Sequence, residues 1–205
     1  MGITSLFKLL YLLFGRCGLF TAFSLYDFTQ LAAVGGDQVL FQRAGLKLHH
    51  NVVVIGGGVL GSQIAYQAAY CGFDVTIWLR SEGSIGRCQP KLDHLKEVYH
   101  DTINLMDSDK GKTPQNWAMG ISDYEDFDKE QCLEKANKAY ENIKLELDLQ
   151  KAVSDADLII ESMAENVEQK IDIYKKMADL LPEKTVIVTN SSTLLPSKFA
   201  KYTKR

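Results

Sequence analysis

Apolar and polar positions follow two rhythms along the chain from residue 51 onward. Short apolar runs, several of them rich in β-branched residues as buried strands are, alternate with longer stretches that have helical spacing. The runs predict strands over residues 51–56, 74–79, 143–147, 157–161 and 185–189. Strands that alternate with helices usually form a parallel sheet covered by helices, so this order predicts an α/β fold.

Helical stretches separate these strands. The first, over residues 59–71, is rich in small residues that allow close packing on a sheet. Two polar stretches rich in Lys and Glu, 91–106 and 128–142, predict an antiparallel helical pair inserted between the second and third strands. The last stretch, 167–181, has apolar residues three or four positions apart, and Pro182 is expected to end it.

The first 48 residues form an apolar extension whose composition differs from that of the remainder. Lys8 and Arg16 divide it into charge-free runs shorter than the ~20 residues that a membrane-spanning helix needs. It also lacks a clear cleavage site of an export signal, so a membrane or export role is the less favoured interpretation. We predict an irregular extension over residues 1–48, either poorly ordered or translated from a wrongly chosen start, and a main domain over residues 49–205.

Glycines are concentrated directly after the first strand. The residues there are Gly56, Gly57, Gly58, Val59, Leu60 and Gly61, which satisfy the pattern GxGxxG. In dinucleotide-binding proteins the first glycine permits a tight turn, the second lets the backbone approach a pyrophosphate, and the third lets the helix pack closely on the strand. The helix N-terminus offers N–H groups and a positive dipole end to the phosphates. Because a strand precedes the loop and a helix follows it, the sequence predicts a doubly wound, mostly parallel Rossmann fold that binds a dinucleotide.

The end of the second strand departs from the usual pattern for NAD. An acidic residue about 20 positions after the glycine loop normally binds the ribose hydroxyls of NAD. Leu79 occupies that position, and Arg80 follows it. Arg80 and Ser81 are suited to the 2′-phosphate of NADP. Alternatively, Arg80 lies in a solvated loop and Glu82 binds the ribose, and both interpretations stay open at this point.

A polar cluster follows the fourth strand. Glu161, Glu165 and Asn166 come at the carboxyl edge of the sheet, where ligands of open α/β folds bind. Lys170 lies one helical turn after Asn166 and is predicted to face the same crevice. The alternative is a strand followed by a capped, solvated helix, and the presence of the glycine loop favours the functional interpretation.

Residues 189–193 (Thr-Asn-Ser-Ser-Thr) form a second polar cluster, a hydroxyl-rich turn after the last strand. This turn is either an N-cap cluster for a following helix or a set of donors for a substrate oxygen beside a nicotinamide. The sequence places no basic partner beside Ser192, so a serine nucleophile is not predicted.

Composition argues against several other functions. Lys and Arg number 23 and Asp and Glu 26, so no strong positive field favours nucleic acid as a partner. The four cysteines, Cys17, Cys71, Cys88 and Cys132, lie far apart and show no metal-ligand spacing with histidine. We therefore predict no metal site, reduced thiols and a cytoplasmic location.

Three stretches together resemble the 3-hydroxyacyl-CoA dehydrogenase family. They are residues 52–65 (VVVIGGGVLGSQIA), 155–170 (DADLIIESMAENVEQK) and 185–197 (TVIVTNSSTLLPS). The family reversibly oxidises the 3-hydroxyl group of an acyl-CoA substrate, with hydride transfer to nicotinamide. By resemblance, residues 56–61 wrap the pyrophosphate of NAD, Glu165 and Lys170 lie along the cofactor, and Ser192 contacts both cofactor and substrate.

The family's catalytic histidine and its helical C-terminal domain, through which members form homodimers, match no residues of this sequence. His49, His50, His94 and His100 all precede the position where that histidine is expected. We therefore expect a domain that is incomplete at its C-terminus, binds a dinucleotide, and needs the missing part for turnover and dimerisation. The alternatives are an NADP-dependent β-hydroxyacid dehydrogenase and a non-catalytic dinucleotide-binding protein.

Overall fold

The structure is a computed structural model that describes residues 51–113 and 115–204. The predictions for residues 1–48, and the two histidines His49 and His50, lie outside the described residues. Among the described residues, 51–95 and 138–204 form one compact unit and 96–137 form another, and each is considered by itself.

The first unit contains a five-stranded parallel sheet in the order β3-β2-β1-β4-β5. The strands are β1 (Asn51–Ile55), β2 (Asp74–Trp78), β3 (Lys144–Glu146), β4 (Leu158–Glu161) and β5 (Val186–Thr189). The helices of the described chain are α1 (Val59–Tyr70), α2 (Glu82–Met106), α3 (Lys129–Asn142), α4 (Leu149–Val153), α5 (Val167–Ala178) and α6 (Ser197–Ala200). This strand order is that of a Rossmann sheet, which confirms the predicted fold class.

The register of the sheet brings three strand ends to one edge. Ile55 at the end of β1 pairs with Trp78 of β2 on one side and with Glu161 of β4 on the other. The side chains of residues 52–55 are at most 2% exposed, which makes β1 the centre of the core. The glycine loop, the start of α2 and the polar cluster after β4 therefore all follow the same carboxyl edge, where such folds bind ligands.

Helix α2 begins nine residues earlier than the sequence predicts, at Glu82 instead of Lys91. Pro90 lies inside the helix, although proline removes a helical hydrogen bond and crowds the carbonyl four residues before it. The helix continues through Pro90, and Cys88 and Leu92 on either side of it are buried. Burial of this apolar face outweighs the local cost of the proline.

Helices α2 and α3 form the predicted antiparallel pair. Tyr140 of α3 donates a hydrogen bond to Asp93 of α2 (2.6 Å), and Asn137 is hydrogen-bonded to His100 (3.0 Å). A residue later in α2 thus meets a residue earlier in α3, as antiparallel helices require. No helix of the described residues is long and apolar enough to cross a membrane.

The connection between α2 and α3 is a packed turn. Trp117 packs against Tyr124 and Phe127, with ring centroids 4.8 and 5.1 Å apart. Its indole N–H donates to the carbonyl of Ser122. A Cβ at Gly111 would lie 1.8 Å from the carbonyl oxygen of Leu105, so only glycine allows the chain to turn this closely past the end of α2.

Candidate functional site

Three of the four glycines between residues 56 and 61, which run from the end of β1 into the first turn of α1, are required by contacts within the protein. Gly56 has a φ of 111°, and a Cβ there would lie 2.8 Å from the carbonyl oxygen of Ser162. A Cβ at Gly61 would lie 2.0 Å from the carbonyl oxygen of Gly56. A Cβ at Gly57 would lie 2.6 Å from Cys88 Sγ. These contacts hold the loop tightly between the strand ends and α2.

Gly58 differs from its neighbours, because a Cβ at this position would have no heavy atom within 4 Å. Its φ of −69° and ψ of −174° are extended values that any residue adopts. Neither backbone conformation nor packing therefore explains a glycine here. Gly58 is the N-cap of α1, beside the free N–H groups of the helix, so a pyrophosphate that approaches these groups would come close to the missing side chain. A glycine at this position leaves free space beside the N–H groups at the start of α1, and a dinucleotide pyrophosphate fits that space.

The other loop residues present a smooth surface. Val59 is 63% exposed although it is apolar, and Leu60 is half-buried. Ser62, in the first turn of α1, is fully buried, and its hydroxyl hydrogen-bonds to the carbonyl of Gly57 at 3.4 Å. The Ser62 hydroxyl therefore supports the glycine loop from its buried side, and the exposed side of the loop consists of backbone and aliphatic atoms.

Leu79 lies at the end of β2 beneath the glycine loop. It is 3% exposed, and its Cδ2 would lie 2.7 Å from a Cβ at Gly57. Its backbone N–H donates to the carbonyl of Glu146. Arg80, Ser81 and Glu82, which follow it, are all exposed. The residue at the position expected to be acidic therefore belongs to the core, and the three residues after it reach solvent.

A buried ion pair lies at the ends of β4 and β5. Glu161 is 0% exposed and Lys170 of α5 is 1% exposed. The ammonium of Lys170 donates to both carboxylate oxygens of Glu161, at 2.8 and 2.6 Å. Thr189 Oγ1 and the N–H of Met163 donate at 2.6 and 2.7 Å. Because the carboxylate is satisfied on all sides, it can remain charged in the core.

Tyr174 completes this buried network. Its hydroxyl lies 3.4 Å from Glu161 Oε2, and burial together with the negative charge of Glu161 raises the pKa of the phenol above its ordinary value. The ring also packs on Phe199 of α6, with centroids 5.6 Å apart. The network therefore joins β4, β5 and α5 through the side chain of Glu161.

Glu165 is exposed and binds the turn after β5. Ser191 Oγ donates to its two carboxylate oxygens at 2.8 and 2.7 Å, and the N–H of Ser192 donates at 3.0 Å. Partial burial raises the pKa of Glu165. The hydrogen bonds and the positive charge of Lys170 together lower it by more, so the pKa lies below its ordinary value. A charged Glu165 thus fixes the position of Ser192, whose own hydroxyl has no hydrogen-bond partner among the described residues.

The structure corrects two of the sequence interpretations and supports a third. Lys170 does not face an open crevice, because its ammonium is buried against Glu161. Residues 189–193 do not cap the following helix, because α6 begins at Ser197 with Pro196 as its N-cap. Asn166 does cap α5, since its side chain accepts the N–H of Gln169 at 2.9 Å.

Sequence reasoning missed several residues that shape this edge. The contact of Cys88 with Gly57 was not foreseen, and neither were the close approach of Ser162 to Gly56 and the hydrogen bond from Thr189 to Glu161. Each joins positions at least 25 residues apart, or joins a loop to a strand end, so no local spacing indicates it. The usable signal was the hydroxyl in the otherwise apolar strand β5, which a buried partner would explain.

The described histidines, cysteines and carboxylates form no group of three or more that could hold a metal ion. His100 is hydrogen-bonded to Asn137 as part of the helical pair, and His94 is exposed on α2. Cys71, Cys88 and Cys132 are free thiols. Burial is the main cause that raises the pKa of Cys88, so this thiol stays protonated beneath the loop.

Comparison with known proteins identifies the family. Residues 51–205 match the sequence profile described as the NAD-binding domain of 3-hydroxyacyl-CoA dehydrogenase. The chain belongs to the 3-hydroxyacyl-CoA dehydrogenase family. This match includes the glycine loop, the buried ion pair and the Glu165–Ser191 contact, and it confirms the resemblance found from the sequence.

Relatives in this family are similar over the same part of the chain. The 3-hydroxybutyryl-CoA dehydrogenase of Clostridioides difficile is 31% identical over 157 residues, which cover 76% of this chain and 46% of that protein. The human mitochondrial hydroxyacyl-coenzyme A dehydrogenase is 25% identical over 155 residues, or 76% of this chain and 43% of that protein. The chain therefore spans about half the length of the curated relatives it matches.

Solved structures agree with this assignment. A diketoreductase described as acting on dicarbonyl compounds superposes with a TM-score of 0.60 and 38% identity, over 78% of this chain and 47% of that one. A 3-hydroxybutyryl-CoA dehydrogenase of Escherichia coli superposes with a TM-score of 0.54 and 23% identity, over 75% of this chain and 27% of that one. The second likeness shows the shared fold alone.

Proposed function

We propose that this chain is the dinucleotide-binding part of an enzyme that oxidises the 3-hydroxyl group of an acyl-CoA thioester, 3-hydroxybutyryl-CoA among them. The observation that carries the proposal is Gly58, the one loop glycine with no contact in the protein to explain it. Family membership supplies the reaction, since relatives named 3-hydroxybutyryl-CoA dehydrogenase match the same residues. The cofactor is a nicotinamide dinucleotide, with NAD as the default that the family description names.

Each proposed binding residue has a distinct task. Residues 56–61 hold the pyrophosphate through the backbone N–H groups at the start of α1. When bound, the nicotinamide accepts a hydride from C3 of the substrate. Glu165 positions Ser192, whose exposed hydroxyl is available for cofactor or substrate. Lys170 acts through its charge, which keeps Glu161 satisfied and lowers the pKa of Glu165.

The 205-residue chain has no residue matched to the base that removes the hydroxyl proton. General-base catalysis typically contributes about 10²–10⁴-fold to the rate, so we propose that the chain binds a dinucleotide without measurable turnover. The activity and the homodimer belong to a longer protein in this proposal. The three free cysteines of the described chain are compatible with the cytoplasmic location that we propose for it.

Two measurements with the purified chain test the proposal. We expect NADH fluorescence to change on binding to the wild-type chain, and Gly58→Val to lose most of this affinity while it retains the helical circular dichroism signal. We expect no NADH or NADPH formation from 3-hydroxybutyryl-CoA with NAD or NADP. Equal affinity of Gly58→Val and wild type would remove the glycine loop as the binding site, and robust turnover would mean that His94 or His100 has a catalytic role.

A further inference from the structure

The start of α2 carries a group of polar and basic side chains that the proposed function does not use. Arg80, Ser81, Ser84 and Arg87 lie between the buried end of β2 and the second turn of α2, and we call them the Arg80–Arg87 cluster. Arg80 and Arg87 are exposed, and Ser84 is half-buried. They follow the strand whose end lies beside the glycine loop, since Gly56 donates its N–H to the carbonyl of Trp78.

The cluster is partly organised within itself. Arg87 Nη2 donates to Ser84 Oγ at 2.9 Å, and Ser84 Oγ lies 3.1 Å from Ser81 Oγ. Arg87 also lies close to the backbone of Gly83, since a Cβ there would stand 3.5 Å from Arg87 Nη1, an ordinary contact distance. The guanidinium of Arg87 therefore lies over the first turn of α2, next to two hydroxyl groups.

Arg80 contrasts with Arg87. Among the described residues it makes no hydrogen bond and no ion pair, although a guanidinium has five donors. Lys91, one turn beyond Arg87, adds a third positive charge and donates to the carbonyl of Arg87. Glu82 is the acidic residue within this stretch, and it too is exposed. The stretch therefore has positive charge in excess and one arginine whose donors are unused.

The buried Leu79 decides which ligand group fits here. A dinucleotide whose pyrophosphate lies on the glycine loop places its adenosine ribose near the end of the second strand, where a carboxylate binds the ribose hydroxyls of NAD and repels a phosphate. At this position the chain has a leucine that packs under Gly57, so that repulsion is absent. Arginine and serine, by contrast, provide the charge-assisted hydrogen bonds that a phosphate dianion needs.

We infer that the Arg80–Arg87 cluster binds the 2′-phosphate of NADP(H), and that this chain prefers NADPH to NADH. Arg80 is the main ligand, because its donors are unused. Arg87 contributes from the second turn of α2, held in place by its hydrogen bond to Ser84. This inference rests on the proposed function in one respect only, namely that a dinucleotide binds at residues 56–61.

Titration of both reduced dinucleotides into the full chain tests this inference. We expect NADPH to bind more tightly than NADH, and Arg80→Ala to weaken NADPH about tenfold or more, as loss of a hydrogen bond to a charged group does. NADH affinity should change less than about twofold. Lys176→Ala is the matched control, because Lys176 is an exposed cation in the last turn of α5, at the other edge of the sheet.

Two adenosine bisphosphates distinguish the sources of the phosphate. Coenzyme A also carries a phosphorylated adenosine, with its phosphate on the 3′-oxygen. We expect adenosine 2′,5′-bisphosphate to displace NADPH at lower concentration than the 3′,5′-isomer, and Arg80→Ala to remove this difference. Better displacement by the 3′,5′-isomer would overturn the inference and assign the cluster to coenzyme A.

The remaining outcomes separate the inference from the proposed function. Tight NADH binding that falls in Glu82→Gln and is unaffected by Arg80→Ala would overturn the NADPH preference and leave the dinucleotide site intact. Failure of the folded wild-type chain to bind either dinucleotide would overturn both. An increase in NADPH affinity in Glu82→Gln would support the inference, because it removes the negative charge beside the phosphate.

Discussion

The carboxylates at the ends of β4 and β5 are hydrogen-bonded within the protein, whereas the arginine that follows the end of β2 faces solvent. Glu161 receives donors from Lys170, Thr189 and Met163, and Glu165 receives donors from the turn after β5. Arg80 has no partner among the described residues. Since both regions lie on one edge of the same sheet, the difference lies in the side chains and not in the fold.

This difference separates residues that hold the site in place from residues that are left for a ligand. A buried charge must be satisfied within the protein, because its desolvation costs several kcal/mol. An exposed guanidinium has no such requirement, and water satisfies it until a ligand replaces the water. The same reasoning divides the glycines: three are fixed by neighbouring atoms, and Gly58 is not.

The largest expected effect comes from breaking the buried pair. Lys170→Met should destabilise the chain by about 3–5 kcal/mol, because it leaves a charged Glu161 without a counterion in the core. Chemical denaturation followed by circular dichroism measures this. The exposed pair of Lys176 and Asp172 is the control, since Lys176→Met should cost no more than about 0.5 kcal/mol.

A double variant tests whether charge is the cause. Lys170→Met combined with Glu161→Gln should recover part of the loss, because the buried carboxylate is then neutral. If the double variant loses as much free energy of unfolding as the two single variants together, the loss comes from packing and not from an unpaired charge. The distinction between satisfied and free charges would then not hold at this site.

The second and third glycines of the GxGxxG motif, Gly58 and Gly61, should respond in opposite ways. Gly61→Ala should lower the free energy of unfolding by about 1–3 kcal/mol, because its Cβ must displace the carbonyl of Gly56. Gly58→Val should leave stability within about 1 kcal/mol of wild type, the size of a helix-cap effect, and yet lose dinucleotide affinity. Thermal melts and nucleotide titrations on the same samples give both values. A large loss of stability in Gly58→Val would show that this glycine too is structural.

The smallest expected effect concerns the pKa of Glu165. Ser191→Ala removes a donor to the carboxylate, so the pKa of Glu165 should rise toward its ordinary value, which nuclear magnetic resonance can follow by titration. A lowered pKa in the folded state stabilises the fold above the ordinary pKa, and the effect is lost as pH falls through the lowered value. Wild type should therefore be slightly more stable than Ser191→Ala near neutral pH and equal to it in acid. An unchanged titration would mean that Ser191 does not bind Glu165 in solution.

The sequence predicted the alternation of strands and helices along the chain, the glycine loop and the inserted helical pair, because each has a local signal of periodicity or turn residues. It did not predict that Lys170 is buried, since its pairing with Glu161 depends on how α5 packs against β4. The hydrogen bond from Ser191 to Glu165 joins residues 26 positions apart and has no local signal either. The predicted start of α2 at Lys91 is nine residues too late, because the Lys/Glu-rich pattern begins there, whereas burial of Cys88 and Leu92 accompanies a helix that begins at Glu82.

The packing of Leu79 under Gly57 restricts how cofactor preference can change by mutation. An aspartate introduced at this position would start in a buried apolar contact with Gly57 and Cys88, where an unpaired carboxylate is costly. The acidic residue cannot simply replace the leucine, because the loop, the strand end and the first turns of α2 would have to be repacked together. In a lineage that carries this leucine, a change to a ribose-binding carboxylate at this position would therefore require several coordinated substitutions, each of little use alone.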